Sequence, residues 1–252
     1  MNLSLSSKIA LITGGGSGIG RAACLAFAQA GATVAVVGRT LSKCEAVAEE
    51  IRSAGGSAIA VNADVSRSDD VQRMIQTTVT QLGGLDVVFN NAGFNVFGTV
   101  TELSEADWQT CLNNDLTSVF LAAKYAIPEL IKRGGGVILN TSGTFGIRPA
   151  RGEAAYAAAK AGVINLTRAI ALDYARANVR CNVICPGFID TPATTNFRGA
   201  AREQFLEDYQ PLRGMTQPEE VALMAVYLAS DAAKMITGQS FVIDAGQQAG
   251  LF

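Results

Sequence analysis

"KIALITGGGSGIGRAACLAFAQAG", residues 8–31, decides how the rest of the chain is read. KIALIT is a short apolar run of strand length. GIGRAACLAFAQAG has helical periodicity and closes on Gly31, a stop signal. Between them lies TGGGSGIG, residues 13–20, with Gly14, Gly18 and Gly20 in a GxxxGxG spacing. Glycines permit positive φ and let the backbone approach a pyrophosphate, and the helix start supplies N–H donors. A glycine run alone would fit an ordinary flexible turn. The strand–turn–helix context favours a phosphate cradle that uses Gly14, Ser17, Gly18, Ile19 and Gly20.

The same alternation continues outward. TVAVVG (33–38) is a second strand. LSKCEAVAEEIRSAGG is a helix with a serine start and a glycine stop. SAIAVNADV (57–65) is a third strand with its exit loop, followed by the helix SRSDDVQRMIQTTVTQLGG. LDVVFNNAG (85–93) is a fourth strand and turn. One long helical region runs from about Glu105 to Lys132, and GGVILNTS (135–142) is a fifth strand. EAAYAAAKAGVINLTRAIALDYARA (153–177) is a long helix and VRCNVICPG a sixth strand. Helices near 200–209 and 217–230 lead to the seventh strand in QSFVIDAG. The strands are continuously apolar rather than alternating, which predicts burial on both faces and a parallel sheet covered by helices. Repeated βα units of this size predict an α/β fold, a doubly wound seven-stranded parallel sheet in one domain over 1–252. No linker or repeat divides it. Ligands of such sheets sit beyond the carboxyl ends of the strands.

Composition narrows the function. Of 252 residues, 49% are hydrophobic, and 20 basic side chains face 22 acidic ones with no basic run. That balance argues against a nucleic-acid or membrane-surface binder. Mean hydropathy is +0.24, yet no apolar stretch reaches about 18 residues, the length of a membrane span. MNLSLSSK lacks the pattern of a signal peptide. The cysteines (Cys24, Cys44, Cys111, Cys181, Cys185) are odd in number and sit inside periodic segments, which fits reduced thiols in the cytoplasm. CNVIC has no second cysteine pair beside it, so no metal is expected. The chain has no histidine. Acid–base work near neutral pH therefore needs a perturbed Tyr, Lys, Cys or carboxyl group.

Four motifs in order, GxxxGxG at 14–20, NNAG at 90–93, YxxxK at 156–160 and PGxxxT at 186–191, make the chain resemble the short-chain dehydrogenase/reductase family over essentially its whole length. The resemblance implies a Rossmann fold, a nicotinamide cofactor and hydride transfer at a carbonyl carbon. It divides the domain into a cofactor half to about residue 140 and a catalytic half beyond. It also implies a homotetramer formed through the two long helices and the last strand.

The end of the second strand bears on the cofactor. A carboxylate there accepts the ribose hydroxyls and repels a 2′-phosphate. This chain has Gly38 and then Arg39, whose guanidinium suits a phosphate. NADP(H) is the expected cofactor, with a solvated arginine at a turn as the alternative. The resemblance places Asp64 and Val65 at the adenine and Asn91, Ala92 and Gly93 at the inner ribose. Pro186, Gly187, Ile189 and Thr191 would hold the nicotinamide end. Asp64 as a cap and NNAG as a structural turn are the plainer readings.

Tyr156 and Lys160 lie four apart on one helix and share a face. A free tyrosine has a pKa of about 10, too high for a good base at neutral pH. A nearby ammonium lowers it. Two positions depart from the family. Relatives carry a serine thirteen residues before the tyrosine, where this chain has Gly143. Ser142 is the nearest stand-in, although adjacent strand side chains point to opposite faces, and Thr144 is the second. Loss of one oxyanion donor costs roughly 10²–10³ in kcat. Asp115 in NNDLTSVF stands where relatives carry asparagine. Its negative charge would raise the Lys160 pKa, and Asn114 lies about 100° away around a helix.

Phe94, Phe97, Phe145, Ile147 and Phe188 suggest an apolar substrate wall, with Arg148 and Arg151 nearby and residues 191–210 as a lid. The leading expectation is an NADP(H)-dependent enzyme that interconverts a small-molecule ketone or aldehyde and an alcohol, with Tyr156 as acid/base. The alternative is a cofactor-binding protein, natural or engineered, with little or no turnover.

Overall fold

The computed structural model describes residues 3–194 and 199–250. Its elements are β1 (Ile9–Thr13), α1 (Gly18–Gln29), β2 (Thr33–Gly38), α2 (Leu41–Ser53), β3 (Ser57–Asn62), α3 (Ser68–Leu82), β4 (Val87–Asn90), α4 (Glu105–Leu112), α5 (Ser118–Lys132), β5 (Gly136–Thr141), α6 (Ala154–Tyr174), β6 (Val179–Pro186), α7 (Ala200–Tyr209), α8 (Pro218–Ala229) and β7 (Ser240–Ile243). The strands form one parallel sheet in the order β3-β2-β1-β4-β5-β6-β7. Strand order reverses between β1 and β4, so the loops after those two strands open side by side, where such sheets take ligands.

The apolar runs become strands because they satisfy two cores at once. Successive side chains point to opposite faces. Ala10 and Ile12 of β1 therefore join Phe27, Val36 and Ala222 in a layer with α1, α2 and α8. Leu11 joins Val37, Met74, Val88 and Ile138 in a layer with α3, α5 and α6. The edge strands β3 and β7 are less buried than β1, β2 and β4, since each lacks one neighbour.

At the opposite end of the sheet Asp86 ties elements together. Its carboxylate accepts from the Ile9 N–H at 2.9 Å and from Arg133 Nη2 at 3.1 Å. Two boundaries differ from the sequence reading. The helix over 41–53 starts after Thr40, so Ser42 lies inside it rather than capping it. The expected single helix over 105–132 is interrupted by a π-helical turn at Asn113–Thr117. One residue too many is accommodated there, which is common where function demands a redirected side chain. Among the described residues no helix is long and apolar enough to cross a membrane.

Candidate active site

The loop after β1 is tied to the loop after β4 by a residue the sequence reading passed over. Thr13 Oγ1 accepts the N–H groups of Asn91 and Ala92, each at 3.0 Å, and Asn91 Nδ2 donates to the Thr13 carbonyl at 3.2 Å. A buried threonine at a strand end gives no distinctive signal in one sequence. The glycine turn rests against this anchor. Gly14 and Gly18 have positive φ. A Cβ on Gly20 would collide with the Gly14 carbonyl, so the first helical turn can close on the loop only without a side chain. Ser17 precedes α1 in extended geometry and makes no side-chain cap. The first N–H groups of α1 are thus left for another acceptor. A dinucleotide pyrophosphate fits this cradle.

From here a cavity of about 420 Å³ runs across the strand ends. Gly14, Ser17, Gly18 and Ile19 form one wall, Gly38, Arg39, Ala63 and Val65 the far end, and Asn91, Ala92 and Gly93 the floor. Tyr156, Lys160 and Thr141 lie at the inner end, with Thr191 and Pro192 above. Arg39 is exposed at the rim, where Asn62 Nδ2 donates to its carbonyl at 2.8 Å. A Cβ on Gly38 would come within 2.9 Å of Cys44 Sγ, so a side chain there requires the Cys44 thiol to turn aside. Asp64 is not in the wall. Its carboxylate accepts from Ser66 N–H and Oγ at 3.0 and 2.7 Å, an Asx turn. Asp64 lies between Ala63 and Val65, both of which line the far end of the cavity.

Of the PGFIDT residues, Thr191 reaches the cavity and stands against Gly18. Ile189 is buried and pairs with Thr216, and Gly187 donates to the Ile243 carbonyl at 2.9 Å. Those two, with Pro186, shape the segment from behind. Within the expected lid, 195–198 lie outside the described residues. Phe188 packs against Phe205 of α7 in a tilted arrangement, with ring centroids 4.5 Å apart. Phe94, Phe97 and Ile147 are exposed, as are Arg148 and Arg151.

The inner end holds a buried ion pair. Lys160 Nζ lies 2.9 Å from Asp115 Oδ1 and donates to the Thr141 carbonyl at 3.1 Å. The same Asp115 carboxylate accepts from the Phe94 N–H at 3.1 Å. Both side chains are almost wholly excluded from solvent, at 3% and 0% exposed. The π turn is what aims Asp115 inward while leaving Asn114 in the cavity wall, its amide donating to the Thr110 carbonyl. Burial works against the Lys160 ammonium, but Asp115 and then Tyr156 outweigh it and hold the lysine above its ordinary pKa. Lys160 Nζ sits 5.3 Å from the Tyr156 ring centroid. Burial pushes the Tyr156 hydroxyl up; Lys160 pulls it down, and Asp115, Glu153 and Cys111 push it up further. The expected lowering by lysine is therefore present but outweighed.

Ser142 does not face this site. It is 2% exposed and its hydroxyl donates to the Lys160 carbonyl at 2.9 Å. Strand alternation holds to the end of β5, and the expectation of Ser142 as a stand-in is corrected. Thr144 is buried at the start of a short 3-10 turn. Gly143 itself has φ 175 and ψ 167, extended backbone open to any residue. A Cβ there would lie 3.6 Å from Tyr156 Oη and 3.7 Å from the Pro186 carbonyl. The position opposite the tyrosine hydroxyl is free of side chain by composition, not by steric need.

Glu153, one helical turn before Tyr156, was also missed. It is 5% exposed and accepts from Asn95 Nδ2 at 2.9 Å. Burial raises its pKa. Its i,i+3 spacing to Tyr156 was the available signal.

A family model described as enoyl-(acyl carrier protein) reductase matches residues 14–248. A cyclohexanol dehydrogenase from Acinetobacter sp. is 37% identical over 97% of this chain and 96% of its own length. The chain belongs to the short-chain dehydrogenase/reductase family. Another relative in this family, a 3-oxoacyl-[acyl-carrier-protein] reductase from Synechocystis sp., is 39% identical over 96% of this chain and 97% of that protein. A short-chain type dehydrogenase/reductase structure from Mycobacterium marinum superposes with a TM-score of 0.93, at 35% identity over 98% of both chains. A 7 alpha-hydroxysteroid dehydrogenase structure complexed with NADH and 7-oxo glycochenodeoxycholic acid gives 0.95, at 32% identity over 100% of this chain and 98% of that one. Short-chain dehydrogenases/reductases are oxidoreductases, and the seven-stranded parallel sheet is their Rossmann-like fold.

Proposed function

We propose that this chain is an NADP(H)-dependent reductase or dehydrogenase that interconverts a small ketone or aldehyde and its alcohol. The observation that carries the reading is one cavity with a glycine cradle at one end and Tyr156 beside Lys160 at the other. A bound nicotinamide would supply or accept the hydride. Gly14, Ser17, Gly18 and Ile19 hold the pyrophosphate, Asn91 to Gly93 the inner ribose, and Thr191 the carboxamide end. Tyr156 Oη holds the proton that the carbonyl oxygen takes up on reduction and takes it back on oxidation. Lys160 keeps a positive charge beside that hydroxyl, and Asp115 fixes the lysine. The family model is described by an enoyl reduction, whereas the relatives are named for alcohol or carbonyl chemistry. The tyrosine–lysine pair at the cavity end favours a carbonyl, whose oxygen needs a proton donor.

The reading extends to one domain, with a cofactor half and a catalytic half meeting near residue 140. The cytoplasm fits five unpaired cysteines. A homotetramer fits the exposed apolar side chains on α5 and α6, where Phe120, Ile131 and Leu172 line or border an open groove.

NADPH oxidation against a carbonyl panel tests the activity, and no turnover on any carbonyl overturns it. Cofactor choice has its own test. Arg39 is the cationic side chain at the far end of the cavity. A charge-assisted hydrogen bond is worth about 1.5–3 kcal/mol, so Arg39→Ala should cut the NADPH-to-NADH ratio of kcat/KM by about 10- to 100-fold. Equal use of both cofactors by the unaltered chain would overturn the NADP(H) assignment.

A further inference from the structure

Two features of the catalytic end ask the substrate for a hydrogen-bond donor. At Gly143 no side chain faces Tyr156 Oη, and neither Ser142 nor any backbone constraint replaces it. In the cavity wall that Tyr156 also lines stands an acceptor without a donor. Asn95 lines the cavity and gives its amide N–H to Glu153, while its Oδ1 is buried with no partner. A buried acceptor left unpaired is unfavourable, a penalty that a ligand hydroxyl would remove.

We infer that the substrate is an α-hydroxy ketone, or in the reverse direction a vicinal diol, whose own hydroxyl takes the place of the absent serine. This rests on the carbonyl-reduction reading. A hydroxyl on the carbon next to the carbonyl is held within hydrogen-bond reach of the carbonyl oxygen. A Cβ at Gly143 would meet Tyr156 Oη and the Pro186 carbonyl at 3.6 and 3.7 Å, room for one further heavy atom, and the inference gives that place to this hydroxyl. In reduction the hydride goes to the carbonyl carbon and the Tyr156 proton to its oxygen. The neighbouring hydroxyl keeps its own O–H bond and donates a hydrogen bond to the developing alkoxide. Because that donor is tethered to the reacting group, no separate ordering cost is incurred.

The test compares 2-hydroxycyclohexanone with cyclohexanone in the unaltered enzyme, Gly143→Ser and Gly143→Ala. A Cβ fits at this position, since its nearest atoms lie at ordinary contact distance, 3.6 Å and 3.7 Å, and the serine hydroxyl would start from that same Cβ beside Tyr156 Oη. One oxyanion donor is worth roughly 10²–10³ in rate. The unaltered chain should prefer the hydroxy ketone in kcat/KM by about 10²-fold, and Gly143→Ser should reduce the preference to about tenfold or less by accelerating cyclohexanone. Gly143→Ala fills the space without a donor and should bring the hydroxy ketone down toward cyclohexanone. Comparison between variants cancels the intrinsic reactivity of the two ketones. Calorimetric titration with 1,2-cyclohexanediol gives a second readout, and binding should weaken in Gly143→Ala but cyclohexanol binding should not. An equal gain on both ketones in Gly143→Ser, or a preference unchanged by alanine, overturns the inference while leaving carbonyl reduction standing. No turnover of either ketone by any of the three proteins overturns the inference alone, and the carbonyl panel decides the reading it rests on.

Discussion

Tyr156→Phe should lower kcat by about 10²–10⁴-fold, the usual contribution of a positioned acid or base, and leave NADPH binding essentially unchanged. Phenylalanine keeps the ring against Lys160 Nζ, now 5.3 Å from its centroid, and removes only the hydroxyl that carries the proton. Stopped-flow turnover with fluorescence titration of NADPH separates the two effects. A near-normal kcat ends the assignment of Tyr156. The pH profile supplies an independent check. Burial, the first cause, holds the tyrosine above its ordinary pKa. Carbonyl reduction needs the protonated hydroxyl, so it should persist through neutral pH and fall only as pH rises into the alkaline range. Alcohol oxidation needs the tyrosinate and should climb over that same range. Both limbs should disappear in Tyr156→Phe.

Asp115→Ala has the largest expected effect on stability. Lys160 is 3% exposed and its ammonium has two neighbours in reach, Asp115 Oδ1 and the Thr141 carbonyl. Removing one member of a buried pair strands the other charge and costs about 3–5 kcal/mol. At roughly 2–4 °C per kcal/mol for a chain of this size, Tm should drop on the order of 10 °C. Asp115→Asn is the informative companion. It keeps an oxygen toward Lys160 and drops the charge, so its stability loss should be much smaller. Asp115 pushes Tyr156 up, and its neutralisation should move the alkaline limb of alcohol oxidation to lower pH. Lys160 starts well above its ordinary value and so stays charged through the change. A Tm for Asp115→Ala close to that of the unaltered protein would show that the pair is solvated in practice. An unmoved limb in Asp115→Asn would show that Asp115 does not act on Tyr156.

The architecture was legible where local pattern and tertiary demand coincide. An apolar run such as IALIT can satisfy two cores only as a buried strand, and the turn after it must be glycine because Gly20 closes onto the Gly14 carbonyl. The direction of Ser142 was legible too, as the alternation rule warned. The π turn was not. Residues 105–132 read as one helix because nothing local in NNDLT marks an extra residue. The cause is Asp115 reaching a lysine on another helix, a contact that sequence distance hides. The sign of the Tyr156 perturbation was illegible for the same reason. Lysine four residues away is visible in sequence, but the burial that outweighs it comes from the surrounding chain. Thr13 and Glu153 escaped notice because polar residues near strand ends and helix starts usually serve only local bonds.

All five cysteines are buried thiols. Burial raises Cys24 and Cys44, and pushes Cys111 and Cys185 up to about 11 and Cys181 to about 12. The thiolate is the reactive form, so near neutral pH the native protein offers alkylating and oxidising reagents almost nothing to attack. It should survive storage in air without added reductant. It should also serve as a host for a single spectroscopic label. A cysteine placed at Met235, which is 88% exposed, would be the one thiol a maleimide dye finds in the folded enzyme. Release of the other five would then report unfolding on the same sample.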